Sequence, residues 1–240
     1  MFSFSPRFVA QSLLSTINLR LSLSYADRIP QDVPLIVISN HRSFLDAPIL
    51  IKILPRPTRI ACHHYMGQTP LIREIISSLG CFPLAATKQR QRQFFQQANQ
   101  LLSVRQWVGL FPEGTQPMIE PTAPQEIRRF HRGFAHLAWQ TPVANLAVLP
   151  VAIASIAETI YPTVPIEWLK RFDAEEPFFN RQGLHPMIVY HRVKVLIGRP
   201  YWIGEQQKQA YKGKQAKNLA MDLTSYCEEE IQELLIKGCN

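Results

Sequence analysis

Residues 35–46 read LIVISNHRSFLD: an uncharged apolar run, then an amide, an imidazole, a guanidinium, a hydroxyl and a carboxylate within seven positions. A short continuous apolar run such as LIVIS (35–39) is the mark of a strand buried on both faces. The text on its C-terminal side then alternates. A helix is expected over 44–54, ended by Pro55 and Pro57, then strand TRIAC (58–62) and a helix over 71–79 closed by Gly80. CFPL (81–84) reads as a short strand, 88–103 as a helix and QWVGLF (106–111) as a strand. Helix 133–140, strand 146–154, strand 187–198 and a closing amphipathic helix over 217–236 complete the series. Strands alternating with helices predict a single-domain α/β protein with a mixed, largely parallel sheet covered by helices. Residues 116–128, 167–186 and 205–217 read as surface segments.

Toward the N-terminus, Ala10, Leu13, Leu14, Ile17 and Leu21 share one side of a helical projection. Residues 1–28 are therefore read as an amphipathic N-terminal helix, and 29–240 as the main domain. Such a stripe either docks on the core or lies in the plane of a bilayer, with Arg7, Arg20 and Arg28 as flanking cations. Only 12 uncharged residues separate Arg7 from Arg20, too few to span a membrane. The longer uncharged stretch, Gly133 to Ala157, is interrupted by Gln140, Pro142, Asn145 and Pro150, so it reads as a buried helix, a turn and a strand. No spanning helix is expected.

The 240 residues are 46% hydrophobic and 18% charged, which excludes a disordered, collagen-like or coiled-coil chain. The net charge of +8 is uneven, with 15 basic and 7 acidic residues up to Arg132 and 11 of each thereafter. That surface favours anionic partners. Nucleic acid is not expected among them, since no recognition-helix, zinc or aromatic-basic signature is present. Cys62, Cys81, Cys227 and Cys239 form no CxxC pair, so neither a disulfide framework nor a metal site is predicted, and a reducing compartment is the simpler reading.

Ligands of α/β sheets bind beyond the carboxyl ends of the strands. Two polar clusters fall there. In the first, His41 stands at the tip of 35–39, and Asp46 lies within reach of its ring after the chain reverses. A carboxylate on one ring nitrogen fixes the tautomer and leaves the other free to accept a proton. Ser43 and Asp46 also form an S-x-x-D capping box, a purely structural role compatible with the first. The second cluster, Phe111-Pro112-Glu113-Gly114-Thr115-Gln116, follows strand 106–111 and on its own reads as a turn.

Together the clusters resemble the glycerolipid acyltransferase family typified by lysophosphatidic acid acyltransferase. The signature N-H-x-S-x-x-D is matched at Asn40, His41, Ser43 and Asp46, and F-P-E-G-T at Phe111 through Thr115. Arg132-Gly133, the strand Val148-Leu149-Pro150-Val151 and VLIGRP (195–200) continue the likeness, which spans about 35–205. The resemblance implies a glycerol-3-phosphate acyltransferase-like fold, with 29–240 as the acyltransferase domain. It implies transfer of a fatty acyl group from a coenzyme A or acyl-carrier-protein thioester to the hydroxyl of a lysolipid such as 1-acylglycerol 3-phosphate, in phospholipid biosynthesis. No metal or prosthetic group is needed. His41 would be the base and Asp46 its orienting partner, with Asn40, Ser43, Glu113, Gly114 and Thr115 at the substrate. Peripheral association with the cytoplasmic face of an anionic membrane is expected.

The chain departs from the family at two points. Gly80-Cys81-Phe82-Pro83-Leu84 matches the second signature, but Ala85 and Ala86 stand where the family has Asp and Arg, and Gln116 follows F-P-E-G-T. If the acceptor carries phosphate, Lys88, Arg90, Arg92, Arg42 or Arg132 would stand in for the missing cation. The alternative is an acceptor without a phosphate monoester, such as a lysoglycolipid or a hydroxylated isoprenoid.

Overall fold

A computed structural model describes residues 5–68, 72–84, 90–172, 174 and 176–239. The elements run α1 (Pro6–Thr16), β1 (Arg20–Ser24), β2 (Leu35–Ser39), α2 (Asp46–Ile53), β3 (Thr58–Cys62), α3 (His64–Gln68), α4 (Ile72–Ser78) and β4 (Phe82–Pro83). They continue α5 (Arg90–Ser103), β5 (Trp107–Leu110), α6 (Gln116–Ile119), α7 (Gly133–Gln140), β6 (Ala147–Pro165), α8 (Ile166–Leu169), β7 (Leu184–Ile197), β8 (Tyr201–Trp202), α9 (Glu205–Ala210) and α10 (Gly213–Cys239). The sheet order is β1-β7-β6-β2-β5-β3-β4, with β8 on the edge of β6. Pairing is parallel throughout except where β6 meets β7 and β8. The fold is thus α/β, a largely parallel mixed sheet between helices.

Strand β2 occupies the middle, and all five of its residues are buried. Leu35 and Val37 join the core against α1 and α2, with Ile49, Leu50 and Leu54. Ile36 and Ile38 join the opposite core, with Ala98 and Leu102 of α5, Leu137 and Ala138 of α7, and Leu223 and Ile231 of α10. Burial on both faces is why this strand shows no polar alternation. Gly109 in β5 lets the next strand approach, since a Cβ there would stand 2.3 Å from Ile60 Cδ1.

Two expectations are corrected. The N-terminal helix covers only Pro6–Thr16 of the 1–28 span, capped by Ser5, whose Oγ accepts from Phe8 N at 3.3 Å. Asn18 turns left-handed at φ 52, and Arg20–Ser24 becomes an edge strand parallel to β7. The strict alternation of Leu19, Leu21 and Leu23 with Arg20, Ser22 and Ser24 is the strand signal that the helical projection overlooks. The apolar stripe of α1 meets protein: Ala10 and Leu14 are buried in the α2-side core. Second, β6 extends to Pro165, well past Ala154, and pairs with β7 as a long bulged ribbon. Among the described residues no helix is long and apolar enough to cross a membrane.

Candidate active site

The site is assembled where β2 and β5 end. The main chain reverses between Ser39 and α2, and Asp46, fully buried, gathers the loop around one carboxylate. Its Oδ2 accepts from Arg42 N at 2.7 Å and Ser43 N at 2.8 Å, and lies 2.8 Å from His41 Nδ1. Its Oδ1 accepts from the Tyr190 hydroxyl at 2.8 Å. With Nδ1 donating to Asp46, the His41 tautomer leaves Nε2 as the acceptor, and Nε2 has no hydrogen-bond partner among the described residues. The imidazole stacks on Phe111, ring centroids 4.3 Å apart, and its side chain is 20% exposed. This leaves one edge of the ring open to the solvent.

Half of the capping box forms. Asp46 takes the Ser43 N–H, but the Ser43 hydroxyl donates to Ile188 O at 2.5 Å and accepts from Leu45 N at 3.2 Å. Ser43 thus ties the loop to β7. Asn40 ties it to β6: its Oδ1 accepts from Ile153 N at 2.8 Å and its Nδ2 donates to Ile153 O at 3.1 Å. Both side chains are spent inside the protein, which corrects their placement at the substrate. They act as struts for His41.

Glu113 joins the second loop to the first. Its Oε1 accepts from His41 N at 2.8 Å, and its Oε2 accepts from Arg128 N at 2.6 Å. Burial pushes its carboxyl up to about 7, against the lowering effect of those two backbone bonds. Gly114 makes the turn with φ +72, a left-handed conformation natural to glycine. The Thr115 hydroxyl donates to Glu176 Oε2 at 3.4 Å, and the same oxygen lies 2.8 Å from His63 Nε2.

Arg132 lines an open cleft beside Glu113, together with Gln116, Arg129, Phe130 and His131. Lys88 and Ala86 lie outside the described residues, as does the side chain of Arg90. Arg42 is committed elsewhere. Its guanidinium clamps Glu158 at 2.6 and 3.0 Å and bonds the Thr122 carbonyl. The cysteines are poorly suited to nucleophilic duty, since burial pushes Cys62 and Cys81 up to about 12. Among the described residues no cluster of three or more His, Cys, Asp or Glu side chains is placed to hold a metal.

Tyr190 is the functional neighbour that sequence reading missed. Complete burial, and then Asp46 beside it, hold its phenol far above the usual range, so it remains a donor to the carboxylate. It lies 144 residues from Asp46 on a strand whose alternation marks it only as a core position. No local pattern announces it.

A family described as Acyltransferase matches residues 20–154. The N-acylphosphatidylethanolamine synthase of Arabidopsis thaliana is 30% identical over 181 residues, 71% of this chain and 57% of the relative. The chain therefore spans little more than half the length of that relative. Among solved structures, the 1-acyl-sn-glycerophosphate (LPA) acyltransferase PlsC from Thermotoga maritima superposes with a TM-score of 0.60 at 18% identity, over 97% of this chain and 77% of that one. At that identity the likeness is one of fold.

Proposed function

The chain belongs to the acyltransferase family, and from that premise we propose that it transfers a fatty acyl group from a coenzyme A or acyl-carrier-protein thioester to the hydroxyl of a lysophospholipid such as 1-acylglycerol 3-phosphate. The observation that carries this reading is the His41 imidazole, held through Nδ1 by buried Asp46 and open at Nε2. An alcohol is a weak nucleophile at neutral pH. As its oxygen attacks the thioester carbonyl carbon, Nε2 takes the hydroxyl proton and Asp46 steadies the imidazolium. The tetrahedral intermediate then collapses, the C–S bond breaks, and the imidazolium returns its proton to the departing thiolate. The products are an ester and a free thiol, with no acyl-enzyme and no metal. General-base assistance of this kind is worth about 10²–10⁴-fold, and juxtaposition of the two substrates adds to it.

The first 28 residues and the acyltransferase domain over 29–240 work at the cytoplasmic face of an anionic membrane, held peripherally. The basic first half supports that placement through charge, while the α1 stripe, committed to the core, supports it little. A second reading has a different acceptor. Ala86, where the family has Arg, and Gln116, where it often has Arg or Ser, favour a phosphate-free alcohol such as a lysoglycolipid or hydroxylated isoprenoid. The relative that makes N-acylphosphatidylethanolamine also favours acceptors other than lysophosphatidate. One labelled acyl thioester offered with lysophosphatidate, its dephosphorylated counterpart, phosphatidylethanolamine and lysoglycolipids separates these readings. His41→Ala should abolish transfer to every acceptor while melting normally. Normal turnover in that variant rejects the mechanism.

A further inference from the structure

The segment leading into α7 carries three cationic or ionisable side chains that nothing neutralises among the described residues. Its backbone is fixed from behind. Arg128 N donates to Glu113 at 2.6 Å, His131 N to Pro112 O at 2.8 Å, and Phe130 N to Glu228 at 2.6 Å, while the Phe130 ring is buried. These anchors hold Arg129, His131 and Arg132 along a cleft of about 450 Å³ that also contains Glu113 and Gln116.

The charge on this wall is unanswered. None of the three side chains makes an ion pair or hydrogen bond among the described residues. Their neighbour Arg128 behaves differently: it bonds the Glu120 carbonyl and pairs with the Glu120 carboxylate at 3.4 Å, and Glu120 is further engaged by Gln116 and Arg181. The acid in the cleft, Glu113, has both oxygens occupied by backbone N–H groups. The wall also abuts the reaction centre. The His131 ring lies against Gly114, 3.4 Å from where a Cβ would stand, and Glu113 reaches from the cleft to the His41 main chain.

We propose that Arg129 and Arg132, with His131 between them, form a phosphate-binding wall that holds the phosphate of the acceptor beside His41. This rests on the reading of the protein as a lysophospholipid acyltransferase. It gives the chain, from a different segment, a substitute for the arginine absent at Ala86. Two guanidinium groups suit a phosphate because each offers paired N–H donors to adjacent oxygens. Phosphate also occurs in the thioester donor, on its pantetheine arm, so the test separates the two sources.

The test compares the unchanged protein with Arg129→Ala/Arg132→Ala in two measurements. Steady-state kinetics should show KM for lysophosphatidate raised about tenfold or more, in keeping with the loss of charge-assisted hydrogen bonds, with KM for the acyl thioester unmoved. Arg129→Lys/Arg132→Lys should fall between. Unchanged acceptor KM, or a rise confined to the thioester, overturns the wall as an acceptor site. Calorimetric titration with glycerol 3-phosphate gives a readout independent of turnover. Binding lost in the double Ala variant upholds the wall even if no lysolipid is acylated, and the acyltransfer reading alone then fails. Equal binding by both proteins overturns the wall even if acyl transfer proceeds.

Discussion

Replacing Asp46 with Asn separates the charge of this buried carboxylate from its hydrogen bonds. Among the described residues Oδ2 faces three donors, His41 Nδ1, Arg42 N and Ser43 N, while Oδ1 faces only the Tyr190 hydroxyl. An amide therefore settles with its oxygen on the three donors and its NH₂ on the phenol, which turns from donor to acceptor. All four contacts survive, as does the tautomer that leaves His41 Nε2 open. What disappears is the negative charge. With Nδ1 2.8 Å from Oδ2, the charge centres lie about 4 Å apart, where an effective dielectric of about 20 gives about 4 kcal/mol for a full imidazolium. With roughly half of that charge developed at the transition state, about 2 kcal/mol is lost, or ~30-fold in rate. The assay is initial-rate acyl transfer from a labelled thioester at saturating acceptor, with thermal unfolding followed in parallel. A rate within about threefold of the unchanged protein, in a variant that melts normally, refutes the electrostatic role of Asp46.

Tyr190→Phe leaves Oδ1 of a buried carboxylate without its donor and should destabilise the protein by about 1.5–3 kcal/mol; an unmoved melting temperature would contradict this. Asn40→Ala orphans both the N–H and the C=O of Ile153, at about 1–3 kcal/mol each, so its unfolding temperature should drop by several degrees, and an unchanged midpoint would deny the strut role. Glu113 titrates in the folded protein at about 7 against an ordinary 4.5, so its contribution to stability is present below the lower value and is lost as pH rises through the upper. The loss is on the order of 3 kcal/mol. Urea unfolding at pH 5 and pH 8 should show a larger decline for the unchanged protein than for Glu113→Gln, and equal declines would remove Glu113 as the cause. Flotation with anionic vesicles should show binding that weakens with added salt, since exposed charges are screened over about 8 Å at physiological ionic strength; salt-independent binding would place the attraction elsewhere.

The continuous apolar text of 35–39, and the regular return of helical and strand periods after it, determined the layered α/β architecture, because burial on both faces of a parallel strand leaves no polar alternation to misread. The His41–Asp46 pair was equally legible. The two groups lie five positions apart, and a single chain reversal between strand and helix is enough to join them. Glu113 beside Gly114 was placed in the site by its own loop. Where the reading depended on one local period it slipped: the helical stripe of 1–28 ran past Asn18 into a strand, whose alternation competed with it over only a few residues. What the sequence could not contain was the set of contacts made across the sheet. Asn40 and Ser43 look like substrate ligands beside a histidine, yet Ile153 and Ile188, more than a hundred residues away, consume their polar atoms. Tyr190 reaches Asp46 only because β7 pairs with β6 and lies over the loop. Arg42, a free cation to any reader of the chain, is claimed by Glu158, while Arg129 and Arg132 are left without partners among the described residues. Local periodicity sets the elements, since it records which face of each is buried. Which polar groups remain free for chemistry is decided only when distant segments meet, because each hydrogen bond made inside the fold withdraws one from the substrate.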